Sequence, residues 1–188
     1  MSNSNLDSGF ELRVSGSFLD HARTFLSAEY LPKIERCLES LSDEQIWWRA
    51  NENSNSIGNL LLHLSGNARQ WIVSGLGGGA DHRERQTEFD ERAIVSKAEL
   101  IGRLKETLAE VDAVLSGFDS ALLLEGYQIQ AGEVSALEAI FHVVEHFSMH
   151  TGQIILLTKL LNGADLRFYD VSTGAPVHTW NEPRSNER

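Results

Sequence analysis

Apolar residues recur along this chain at three- and four-residue spacing, the signature of amphipathic helices. The first run, Ser17 to Leu41, places Phe18, Leu19, Ala22, Phe25, Leu26, Leu31, Ile34, Leu38 and Leu41 on one face. Pro32 falls inside it and predicts a kink or a split, because proline lacks the N–H that an interior turn needs. Ser56 opens a second helix bearing Ile57, Leu60, Leu61, Leu64 and Ile72, which should stop near Gly75, ahead of Gly77-Gly78-Gly79. Ser96 to Glu99 has the form of a capping box and starts a third helix through Leu100, Leu104, Leu108, Val111 and Leu115. The fourth runs from about Ser135 to Leu161 and closes at Asn162-Gly163. It is apolar on most sides, which predicts a central helix surrounded by the others. No alternating run is long enough to argue for a sheet, although some extended structure is expected around Tyr127 and Gly132. The fold class expected is all-α, with four main helices.

Between the second and third helices, Ala80 to Val95 is dense in charge and reads as a long exposed connection. The chain divides into one helical domain, residues 1–165, and a tail, residues 166–188, in which Pro176 and Pro183 predict a segment that wraps the surface or frays.

Composition narrows the partners. A formal net charge of −11 over 188 residues argues against nucleic acid, whose phosphates require a basic patch. No apolar run approaches the roughly 20 residues that span a bilayer, and the polar N-terminus shows no secretory signal. Cys37 is the one cysteine, in a helical stretch with no histidine beside it, so it reads as a buried apolar residue of a cytoplasmic protein. Trp47 and Trp48 are candidates for either core or a subunit interface.

The chemistry concentrates in histidine. His142, His146 and His150 lie four apart on the fourth helix, within FHVVEHFSMHTGQI, and therefore on one face. Two successive imidazoles can share an ion at about 2.0–2.1 Å, but the outer pair is roughly 12 Å apart along the axis, too far for both to reach it. A second helix must supply the third ligand, and His63, within NLLLHLSGN, is the one it offers. His142 then reads as a core histidine or a pocket residue. Asn59, Asn67 and Gln70 share helical spacing with His63, and Glu145 and Gln153 flank the pair on the fourth helix. Asn59, Asn67, Gln70 and Gln153 are candidates to orient imidazoles or substrate, and Glu145 is a candidate acid or base or the partner of a surface ion pair. Three imidazoles suit one divalent ion, zinc or nickel first and iron or manganese next, with positions left open for water or a small-molecule substrate. Ligation needs neutral imidazoles, so acid should expel the ion near the free-histidine pKa of about 6.5. His142-Val-Val-Glu-His146 also has the HxxEH form of inverted zinc peptidases, but an all-helical chain with no substrate-binding strand is poor context for it. A di-iron bundle would need two ExxH motifs, which are absent.

These residues resemble the DinB-like family of metalloenzymes, whose members carry one histidine on the second helix and an HxxxH pair on the last, followed by Gly-Gln. The matching segments here are His63 in SIGNLLLHLSGN, and His146 and His150 in EHFSMHTGQII with Gly152-Gln153. Asp81, Arg83, Arg85, Glu88 and Phe89 also look like a pattern that follows the second helix in some members, here a charged loop near the site. Where relatives often have Arg or a second His before Gly-Gln, this chain has Thr151. The resemblance implies a four-helix bundle with a long crossover, a metal held by His63, His146 and His150, and a homodimer. It also implies chemistry with a low-molecular-weight thiol, such as thiol S-transfer, for which Arg69, Arg83, Arg85 and Arg92 are the cations available to an anionic thiol. The reading set against this enzyme is a metal-binding or stress-related bundle without turnover.

Overall fold

A computed structural model describes residues 4–163 and 165–180. The first helical rod begins at Ser4, well before the apolar periodicity starts. It runs through α1 (Ser4–Thr24), a π-helical turn (Phe25–Tyr30) and α2 (Leu31–Glu39). The N-terminal extension escapes a periodicity argument because Phe10, Leu12 and Val14 are all exposed: the segment is helical without an apolar stripe to bury. Pro32 does not split the rod. The widened turn precedes it, and the carbonyl of Ala28, to which Pro32 has no N–H to offer, accepts a hydrogen bond of 3.0 Å from the indole Nε1 of Trp180.

A one-turn helix, α3 (Asp43–Ile46), is held by a full capping box between Ser42 and Gln45. The second long helix, α4 (Ile57–Ala68), starts at Ser56 and continues as a π-helical turn (Arg69–Ser74). After it comes α5 (Arg85–Asp90), a short helix in the charged connection, then α6 (Lys97–Ser116). Ser96 accepts from the backbone of Glu99 at 3.2 Å, but Glu99 turns to Arg103 rather than back to Ser96, so only half of the expected box forms. An antiparallel hairpin, β1 (Gly126–Ile129) with β2 (Gly132–Ser135), leads into α7 (Ala136–Asn162). That helix opens with a complete Ser135–Glu138 capping box and stops at Gly163 in the left-handed conformation, φ 64°.

The four long helices make an all-α bundle in which α7 packs on α2, α4 and the π-helical turn of the first rod, while α6 covers α4. The core is mostly aliphatic, with Ile34, Leu64, Leu104, Val143 and Ile154 fully buried beside the aromatic Phe147. Cys37 lies within it. Trp47 is also core, its indole donating to the carbonyl of Val95 at 2.8 Å, whereas Trp48 is exposed. The expectation that α7 is surrounded on all sides needs correction: Phe141, Met149, Leu156 and Leu160 face outward. Among the described residues, no helix is long and apolar enough to cross a membrane.

Beyond the bundle, β3 (Tyr169–Asp170) pairs with β4 (Val177–His178); Leu166 and Trp180 are buried, Trp180 against the first rod. The buried Arg36 guanidinium donates to the carbonyls of Arg167 and Thr179, and Lys33 sits 3.8 Å above the Trp180 ring. The tail expected to wrap the surface or fray begins at residue 166; its last part, residues 181–188, lies outside the described residues. Replacing Trp180 by Ala removes a buried ring, a cation–π contact and the partner of Ala28. The expected cost is about 3–5 kcal/mol, read as a shift in the urea midpoint. A change below about 0.5 kcal/mol, as at a surface site, would mean that the segment is not anchored there.

Candidate metal centre

His63 projects from α4 and His146 and His150 from α7, and packing of these two helices brings the three side chains together. Nε2 of His146 lies 3.0 Å from Nε2 of His63 and 3.1 Å from Nε2 of His150. All three rings are buried, and one ligand atom from each lies within 4.8 Å of the others. His142, one turn earlier on α7, is not in this group. Its Nε2 accepts from Asn67 at 3.2 Å and its ring rests on Trp71, with centroids 4.2 Å apart.

The outer nitrogens decide what the inner ones can do. Nδ1 of His63 is 2.8 Å from Oε2 of Glu88, and a carboxylate can only accept, so Nδ1 carries the proton. Nδ1 of His150 is 2.7 Å from Oε1 of Gln153 and donates in the same way. With both rings in the neutral form, each points the lone pair of Nε2 at His146, whose own Nε2 can donate to one of them at most. A convergence of lone pairs with too few protons is what a cation satisfies. The separations of 3.0 and 3.1 Å come close to the roughly 3.3 Å edge of a tetrahedron of nitrogens at about 2.0–2.1 Å from one ion. The residues present fit a metal.

Electrostatics reinforce the neutral state. Burial, with the neighbouring charges of His150 and His63, pushes His146 down to about 3. Burial likewise lowers His150, outweighing the opposing hydrogen bond to Gln153, and it lowers His142. Burial alone would raise the Glu88 carboxyl, but hydrogen bonds from His63 and Arg83 and their charges outweigh it and hold Glu88 below the usual carboxylate range.

Glu88 is the residue that spacing alone did not assign to the site. The connection from Ala80 to Val95 is not exposed throughout: α5 turns Glu88 inward, where Arg83 grips it with Nε to Oε1 at 2.7 Å and Nη2 to Oε2 at 3.0 Å. Gly66, one turn after His63, gives the carboxylate its seat, since a Cβ there would collide with Glu88 Oε1. The polar neighbours sort accordingly. Gln153 holds His150, and Asn67 holds His142. Gln70 accepts from Arg83 at 2.9 Å and so steadies the guanidinium rather than an imidazole. Asn59 completes the capping box with Ser56 and binds Arg49 and the backbone carbonyl of Glu88, fixing the loop from behind. Glu145 is exposed and stands 3.5 Å from His142 Nδ1, away from the three converging nitrogens. That placement, with His142 outside the cluster, leaves the HxxEH peptidase reading without its geometry. Among the described residues, buried Nδ1 of His146, Nε1 of Trp71, Oδ1 of Asn67 and Oγ1 of Thr151 have no hydrogen-bond partner.

This pairing of one histidine on the second bundle helix with two, four apart, on the last belongs to a chain whose residues 13–175 match the sequence profile of the family described as "Protein of unknown function (DUF1572)". The chain belongs to the DUF1572 family. Its fold is also found in two solved structures, a DinB-like protein from Bacillus subtilis and a conserved protein from Enterococcus faecalis. The first superposes with a TM-score of 0.59 at 17% identity, over 80% of this chain and 98% of its own. The second superposes with a TM-score of 0.61 at 15% identity, over 81% of this chain and 97% of its own. The DinB-like fold expected from the histidine motifs is therefore observed. No curated protein is significantly similar in sequence.

Proposed function

We propose that this DUF1572 chain holds one divalent metal through Nε2 of His63, His146 and His150, and that it is a metal-dependent enzyme acting on a small molecule. The observation that carries the reading is the convergence of those three nitrogens with the outer nitrogens of two rings already engaged. Zinc or nickel suits three buried imidazoles best, with iron or manganese next. Bound there, a divalent ion supplies Lewis acidity at its open positions, enough to make a nucleophile of water or of a thiol at neutral pH.

The chain's own residues do the rest. Glu88 and Gln153 each accept the Nδ1 proton of a ligand ring, which fixes tautomer and orientation and raises the basicity of Nε2. Arg83 neutralises Glu88, so the carboxylate stays ionised although buried. His142, held by Asn67 and stacked on Trp71, is the polar group next along α7 from the ligands and a candidate to meet substrate.

Thiol chemistry, which the resemblance to DinB-like enzymes suggests, is narrowed by the arginines. Arg83 is committed to Glu88, Arg69 to Glu110 and Arg92 to backbone carbonyls. Arg85, stacked 4.8 Å over Phe89 beside His63, has no carboxylate partner among the described residues. One cation favours a small thiol of low charge over a strongly anionic one.

Elemental analysis of untagged, chelator-free protein tests the centre. About one equivalent of metal is expected in the wild type and none in His146→Ala/His150→Ala, whose helical signal should persist. Absence of metal from both after reconstitution would leave the histidines as a binding or structural cluster and remove the enzyme reading with them.

A further inference from the structure

A cleft lies apart from the three histidines, on the other side of the bundle's second helix. α5 and α6 each pack on α4, and the space left between them has a volume of about 420 Å³. Sites for small molecules fall in the range of about 300–1,000 Å³. Glu88 contributes to the wall, but no histidine does.

The hydrogen bonds already made around the cleft decide what it can receive. Ser65 and Thr87 line it with their hydroxyl protons donated to the carbonyls of Leu61, at 3.0 Å, and Glu84, at 2.7 Å. Each therefore offers the cleft an oxygen that can only accept. Thr107 lines it from α6. That residue is 3% exposed, yet among the described residues its hydroxyl has no hydrogen-bond partner. A buried hydroxyl on the wall of a cleft is completed by whatever enters the cleft.

The charges point the same way. Of the cations on the wall, Arg69 is gripped by both oxygens of Glu110, at 2.6 and 2.7 Å, and Arg103 is paired with Glu99. Glu88 is neutralised by Arg83. Two carboxylates are left over. Glu106 has no ion-pair partner among the described residues, and neither has Glu91. Oε1 of Glu91 accepts the backbone N–H groups of Arg92 and Ala93, at 2.8 and 2.7 Å, which fixes the carboxylate without neutralising it. Glu91 closes α5 and Glu106 stands on α6, so the two charges lie on opposite walls.

We infer that this cleft is a binding site for a small aliphatic diamine, with one ammonium against Glu91 and the other against Glu106. An ammonium carries three N–H donors and no acceptor, the complement of a lining made of accepting oxygens. Methylenes between the two amines rest on Leu62. One inorganic ion would leave most of the 420 Å³ unfilled and could not neutralise both walls. The net charge of −11 favours the approach of cations in general. The proposal rests on the cleft alone and does not depend on metal binding at the histidines.

Calorimetric titration of the full-length protein with 1,4-diaminobutane tests it. One equivalent is expected to bind, and 1-aminobutane, with a single charge, should bind about tenfold more weakly. Glu106→Gln should weaken the diamine about tenfold and Thr107→Val about fivefold, both with helical circular dichroism retained. Glu11→Gln removes the same charge from the exposed side of α1 and should change nothing. In the wild type, hydrogen exchange should slow on addition of the diamine in residues 85–93, since the ligand fastens α5 to α6. Four results would each overturn the proposal: no saturable binding of the diamine, an equal loss in Glu11→Gln, displacement by an equal concentration of magnesium, or binding of succinate instead. The second would reduce the effect to net charge, the third would make this a site for an inorganic ion, and the fourth would make the arginines the receptor.

Discussion

Glu88→Ala is expected to cost about 3–5 kcal/mol of stability and to weaken metal binding ten- to hundredfold. Two consequences of one deletion combine. The Arg83 side chain is 6% exposed and loses the carboxylate that it grips, leaving a buried cation without its ion pair. His63 loses the acceptor that fixes Nδ1–H, so its Nε2 is no longer held toward His146. Glu88→Gln keeps the shape and an acceptor oxygen but not the charge, and it should fall between wild type and Ala. Gly66→Ala, which would raise helix propensity in an ordinary turn, should here do harm, because its methyl occupies the seat of Oε1. Urea unfolding of the metal-free proteins and calorimetric titration with zinc measure the two effects separately. If Glu88→Ala behaved as an exposed substitution does, within about 0.5 kcal/mol, Glu88 would not be the support described.

What could be read in the sequence, and what could not, follows from the range over which each signal acts. Helix starts at Ser56, Ser96 and Ser135 and the stop at Gly163 are local, set by side chains bonding backbone groups a few residues away, and they appear where the spacing puts them. The three converging histidines were legible because four-residue spacing on a buried helix restricts which imidazoles can meet. Glu88 was visible only as part of a charged loop that resembles other family members. Its contact with His63 spans 25 residues and depends on how α5 folds back onto α4, which no periodicity encodes. Asn59 and Gln70 share the spacing of His63, yet they bond the capping box and Arg83, because neighbouring turns of one helix need not face the same partner. Trp180 gave no periodic signal at all, since its anchor is a single carbonyl left open by a proline.

The metal-free protein is expected to lose stability steadily as pH falls from about 6.5 toward 3. His146 is held neutral in the folded chain down to about 3, whereas in the unfolded chain it takes up its proton near 6.5. Between those values the unfolded state binds more protons than the folded one, so stability declines with falling pH, by up to about 1.4 kcal/mol per pH unit for this one group. The slope vanishes above 7, where both states are neutral. The lowered His150 acts in the same direction. Below the usual carboxylate range, protonation of Glu88 removes a further contribution. Proton competition at His146 and His150 is thereby displaced below the titration of a free histidine, and metal release should follow acid unfolding rather than a midpoint near 6.5. Urea midpoints from pH 7.5 to 4, for wild type and His146→Gln, check this: the variant should show a shallower slope, and equal slopes would place the titrating group elsewhere.

The bond from Trp180 to Ala28 makes a closed circuit of the polypeptide. The carbonyl that Pro32 leaves open in the first helix, that of Ala28, is met by a residue 152 positions further along, so the fully bonded form of that helix requires the C-terminal segment to be docked. Contacts of such long reach form late. Peeling back the C-terminal segment bares the widened turn of the first helix, and an opening at one end of the sequence is thereby felt near the other.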